Sequence, residues 1–127
     1  MRDPELVREI LEQIRMAAQR IVRRSMPIQK PDDFLDSDAG LDRLDATAMM
    51  LIAIGESAKH LDKITDGVLL KRYPQIDWGG VKGVRDVLSH HYFDLNADVI
   101  FTICQRRIPQ LIDTIEKMIQ DLKDGAP

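Results

Sequence analysis

A single cysteine, Cys104, stands in the whole chain, which excludes an intramolecular disulfide and a cysteine-based zinc site. It fits a reducing compartment. Aromatics make up only 5% of residues, too few for a platform on which single-stranded bases could stack. Glycine and proline are sparse and clustered, and β-branched residues do not alternate with polar ones, so an extended β architecture is disfavoured and an all-α fold expected. The longest apolar run, Met49 to Gly55, is far too short to span a bilayer. The first residues, MRDPELVRE, carry charge from the start and do not resemble a secretory leader, so a cytoplasmic location with no membrane partner is expected. Excess positive charge is missing too. With a net charge of −3 and pI near 5.6, the chain has no composition for a broad basic surface. Any nucleic-acid contact must be small and local, or shared between subunits.

What is present reads as helix. The 127 residues suffice for one domain with a real core, residues 1–127 with a frayed tail from about 123. Asp3 and Pro4 open a first helix as cap and first-turn proline. Leu6, Val7, Ile10, Leu11, Ile14, Ala18 and Ile21 continue it as one stripe to about Arg24. Pro27 and Pro31 stop it, and a polar connection from Lys30 to Gly40 is expected to make a short helical turn anchored by Phe34 and Leu35. A second long helix covers about Asp38 to Leu61, apolar nearly all round between Ala46 and Gly55 and therefore central. Gly55 inside it costs on the order of 1 kcal/mol relative to alanine, which close approach of another backbone would explain. Lys63 to Gln75 is a connection with Val68, Leu69 and Leu70 turned inward and Tyr73-Pro74 closing it. Asp77 caps a third helix, and Trp78 plugs the core at its start. Asn96 caps the last helix, about Ala97 to Leu122, with Pro109 expected to kink it.

Chemistry concentrates between Asp77 and Phe101, in DWGGVKGVRDVLSHHYFDLNADVIF. This stretch contains Arg85, then His90 and His91, then Tyr92. An arginine holds a phosphate with a forked pair of donors, and a histidine moves protons near neutral pH. Metal-free RNA cleavage needs a base for the ribose 2′-hydroxyl, an acid for the leaving 5′-oxygen and positive charge on the phosphorane. His90 suits the first two roles and Arg85 the third. Asp86 is placed to orient either of them, and His91, adjacent to His90, faces elsewhere. Locally Lys71, Arg72, Lys82 and Arg85 outnumber Asp77 and Asp86. On one continuous helix Arg85 and Tyr92 share a side while His90 falls on the opposite one. Either the helix ends near Ser89 and His90 turns back, or a second subunit completes the site. Glu56, just past Gly55, reads as a surface carboxylate paired to Lys59 or His60, or as a supporting carboxylate facing Arg85 and His90. Glu56 and His60 also have the i, i+4 spacing of metal ligands, but no third ligand is near and no metal or other cofactor is expected.

The order of several blocks along the chain is similar to the HepT-like branch of the HEPN superfamily. These are MRDPELVREILEQI at the start, IGESAKHL at 54–61, YPQIDW at 73–78, GVRDVLSHHY at 83–92 and IPQL at 108–111. Ser57 replaces a usual alanine, and Asp86 stands where asparagine is frequent. The resemblance implies an all-α, up-and-down bundle of four main helices plus short connecting helices. It further implies a homodimer with the motifs facing across the interface, and a metal-independent endoribonuclease acting as the toxin of a two-gene module. Arg85 and His90 would be catalytic. The antitoxin would be a minimal nucleotidyltransferase that transfers AMP to Tyr92. A second reading, favoured by the acidic pI, is a non-catalytic helical protein that binds a nucleotidyltransferase or a nucleotide.

Overall fold

A computed structural model describes residues 3–125 except 92, and only the backbone at 90 and 91. The fold is all-α, with one short hairpin. Helix α1 (Pro4–Ser25) begins where the Asp3 carboxylate accepts from the Leu6 N–H at 3.0 Å. Its apolar stripe, Val7, Ile10, Leu11, Ile14, Ala18 and Ile21, is buried against helix α2 (Asp38–Ile64) and helix α6 (Ile108–Lys123). This three-helix contact forms the body of the core. Between α1 and α2 the expected helical turn is a 3₁₀ segment, Pro31–Phe34, and Phe34 is fully buried. Burial of such a side chain is worth roughly 1.5–3 kcal/mol. Leu35 is not a second anchor, because it is half exposed on the far side of that turn.

The buried face of α2 carries Leu44, Thr47, Ala48, Leu51, Ile54, Gly55, Ala58 and Leu61. The helix is less enclosed than its composition predicts: Met49 is 65% exposed and Ala53 is also open to solvent. After α2, Leu69 and Leu70 turn inward while Val68 stays outside, so only two of the three expected residues anchor this connection. The second of them opens a 3₁₀ turn, Leu70–Arg72. Tyr73 is buried beyond it, and its hydroxyl donates to the Asp121 carboxylate of α6 at 2.7 Å. Trp78 seals this end as expected, buried with its indole N–H donating to the Tyr73 carbonyl at 2.9 Å.

The expected third helix is two pieces. Helix α3 (Trp78–Lys82), capped by Asp77, is separated by Gly83 and Val84 from helix α4 (Arg85–Leu88). The chain then leaves helical geometry, with Ser89 extended at φ −140° and ψ 148°. Strand β1 (Ser89–His91) pairs antiparallel with β2 (Asp94–Leu95), and the Asn96 N–H closes the hairpin onto the Leu88 carbonyl at 2.7 Å.

The last long helix is also interrupted. Helix α5 (Ala97–Thr102), capped by Asn96, passes through a π-helical turn, Ile103–Arg107, into α6. Across that turn the Ile108 N–H reaches back to the Ile103 carbonyl, five residues away. Pro109 has no N–H to donate, and the wider turn just before it absorbs the gap in the ladder. Cys104 is buried on this turn, and desolvation pushes its thiol up to about 11.

Candidate active site

The site is positioned by a glycine. A Cβ at Gly55 would lie 2.7 Å from the Val81 carbonyl oxygen and 3.2 Å from a Val84 methyl. Only a residue without a side chain lets the α3–α4 backbone lie this close to α2. The next residue, Glu56, is thereby carried to α4. Its Oε1 is 3.6 Å from Arg85 Nη2, while its Oε2 is 3.6 Å from Lys59 Nζ one turn further along α2. One carboxylate thus lies against both the helix-surface lysine and the motif arginine.

These groups are open to water. Arg85 is 68% exposed, Glu56 51% and Lys59 54%. The apolar neighbours Val84 and Leu88 are buried and anchor α4, so Arg85 is an exposed head on a buried base. A second contact pins the same seam, with Lys82 of α3 donating to Asp62 of α2 at 2.8 Å. Sequence spacing gives no hint of that pair, which joins separate helices 20 residues apart.

The end of α4 at Leu88 bears on the geometry of the motif. The helix ends before Ser89, as one of the two arrangements requires, and the His90 backbone lies on an extended strand. The side chains of His90 and His91, and Tyr92 altogether, lie outside the described residues. Asp86 is exposed and, among the described residues, makes no ion pair with Arg85. His60 is exposed on α2, and no group of three His, Cys, Asp or Glu among the described residues is arranged to hold a metal ion.

A separate feature opens beside this seam. An apolar groove of about 530 Å³ runs between α2, α3–α4 and α5–α6, lined among others by Leu51, Ile54, Val84, Val87, Val99 and Ile103. Arg85 and Glu56 are not part of its lining. Cationic site and aliphatic groove thus use different faces of α4.

The family model described as ribonuclease HepT-like matches residues 7–118. The chain belongs to the ribonuclease HepT-like family. Two relatives show the range of the similarity. "Putative RNase MJ0127" of Methanocaldococcus jannaschii is 36% identical over 78 residues, 61% of this chain and 61% of that protein. "Putative RNase TTE0752" of Caldanaerobacter subterraneus subsp. tengcongensis is 29% identical over 116 residues, 91% of this chain and 96% of its own length. The chain therefore spans about three fifths of the first relative and nearly all of the second. No solved structure matches the chain. The matched segment contains both Glu56 and Arg85. No helix among the described residues is long and apolar enough to cross a membrane.

Proposed function

We propose that this HepT-like chain is a metal-independent endoribonuclease that cleaves RNA by attack of the ribose 2′-hydroxyl on the adjacent phosphate. The observation that carries this reading is the Arg85 guanidinium held in solvent at the edge of α4, with a carboxylate beside it and His90 on the strand that follows. Arg85 stabilises the charge that builds on the phosphorane. His90 takes the 2′-hydroxyl proton and returns a proton to the departing 5′-oxygen. Glu56 is the counter-ion of the guanidinium before the strand arrives, and Asp86 is available as a carboxylate next to Arg85 on α4.

The family resemblance extends the proposal. The protein acts as a toxin, and a minimal nucleotidyltransferase partner silences it by transferring AMP to Tyr92. That nucleotide would bring phosphate charge and bulk beside Arg85 and occupy the substrate's place. A homodimer is supported by the exposed Met49 and Ala53, four residues apart on α2 and leading along that face to Glu56.

The test is cleavage of total RNA by purified protein in excess chelator. Activity that survives chelation and disappears in both Arg85→Ala and His90→Ala supports the reading. The aliphatic groove favours the other reading, a non-catalytic partner-binding protein, since such a surface buries a protein segment better than a phosphate. Absence of cleavage by unmodified protein, with a partner bound, would favour that reading instead.

A further inference from the structure

Lys59 has a place in the site that its spacing alone does not show. It and Arg85 come from different helices and meet opposite oxygens of one carboxylate, each at 3.6 Å. Two such legs put the ammonium and the guanidinium no more than about 9 Å apart. Neighbouring phosphates of one extended strand can match that separation. Both heads are more than half exposed, and both contacts are longer than a good hydrogen bond. Surface pairs of this kind contribute only about 0–1 kcal/mol, so the carboxylate does not hold either cation firmly against an arriving phosphate.

The remaining charges on the seam sharpen the choice. Lys82 is engaged by Asp62 at 2.8 Å and is only 31% exposed, so it is a structural tie. Lys63, four residues beyond Lys59 on the same face of α2, is exposed. A short cationic path therefore leads from Arg85 to Lys59 and on along α2. A chain with net charge −3 has no broad basic face, and a two-point contact suits it.

We infer that Lys59 holds the phosphate next to the one at Arg85 on a single RNA strand, and that Glu56 is the counter-ion both cations leave when the strand arrives. The inference deepens the ribonuclease reading and takes the identity of the strand from it. Lys59 is a substrate-binding residue here and takes no part in bond breaking.

Two measurements test it and keep it separate from the question of cleavage. The first is binding of a fluorescent 2′-O-methyl hexanucleotide, which lacks the attacking hydroxyl, across a series of salt concentrations. Lys59→Gln should weaken binding about 5- to 10-fold at low salt and reduce the slope of log affinity against log salt by about 0.7–1. Lys59→Arg should restore both. The second compares cleavage of a hexanucleotide with that of a dinucleoside monophosphate, which has one phosphate. Lys59→Gln should raise KM for the hexanucleotide several-fold more than for the dinucleoside. Unaltered affinity and salt slope in Lys59→Gln, or equal loss on the two substrates, would overturn the inference. Lysine-dependent binding by a wild-type protein that cleaves nothing would sustain the phosphate pair and sink the nuclease reading.

Discussion

Two of the carboxylates that reach across the fold do so in opposite ways. Asp121 on α6 accepts from the Tyr73 hydroxyl at 2.7 Å, and the tyrosine is buried. Glu56 on α2 faces Arg85 at 3.6 Å with both groups more than half exposed. The first contact is short and partly buried, and its ionisation is shifted. Burial, then the bond to Asp121, pushes the Tyr73 hydroxyl up to about 12, while the same bond draws the Asp121 carboxyl below its usual range. The second contact is loose and wet. A short buried bond fixes a fold, because breaking it strands a polar group away from water. A loose exposed pair costs little to separate and leaves its arginine available to a ligand. Function is therefore assigned to the weaker contact.

Arg85→Ala breaks that comparison most sharply. RNA cleavage should fall by about 10²–10³-fold, the scale for loss of a group that stabilises transition-state charge. The melting temperature should move by no more than roughly 2–4 °C, since the exposed ion pair contributes little. A cleavage assay and a thermal melt on the same sample read both. Gly55→Ala comes next, and it should damage the seam that presents Arg85. Alanine ordinarily favours a helix, but here the new methyl meets the Val81 carbonyl. Overpacking of this kind destabilises by roughly 1–3 kcal/mol, measurable by urea unfolding, and cleavage should fall with it.

Tyr73→Phe should do the reverse of Arg85→Ala. It should lower the melting temperature by roughly 2–5 °C at neutral pH and leave cleavage unchanged. Its pH dependence has a definite sign. The folded hydroxyl titrates near 12 and the unfolded one near its ordinary 10.0. The stabilisation is thus complete below pH 10 and is lost as the pH rises toward 12. Unfolding followed from pH 9 to 12 should show less of this alkaline loss in Tyr73→Phe. The smallest effect is expected for Lys117→Ala. Its ammonium stands 3.4 Å from Asp121 but is 62% exposed, so the melting temperature should shift by less than about 2 °C.

Much of this was legible from residue types alone, and the reasons differ by position. A glycine inside a long helix demands an explanation, and Gly55 received the one the structure bears out, a second backbone lying against it. Phe34 and Trp78 were legible because few other large side chains were available to close those ends. The break between α3 and α4 was hidden. Val81, Val84 and Leu88 keep helical spacing through it, and Val84 retains helical angles at φ −57° and ψ −34°. The π turn was hidden as well, because a five-residue reach from Ile108 to Ile103 leaves no mark in composition beyond the nearby Pro109. Leu35 and Val68 are apolar yet stay outside, which hydrophobicity by itself does not foretell. In the candidate site, the approach of Glu56 to Arg85, 29 positions on, followed from the Gly55 contact and not from spacing. A helix end near Ser89 is one of the two arrangements the spacing allows, and the extended Ser89 agrees with it.

The chemistry at the cleaved bond distinguishes the ribonuclease reading from every other. Attack by a 2′-hydroxyl, with an arginine at the phosphate and no metal required, leaves a 2′,3′-cyclic phosphate on one fragment and a 5′-hydroxyl on the other. Mass spectrometry of a defined oligoribonucleotide, cut by purified protein in excess chelator, reads those ends directly. Cyclic phosphate ends that vanish in Arg85→Ala are the predicted result. Fragments ending in 3′-hydroxyl and 5′-phosphate, or cutting that stops on chelation, would contradict it.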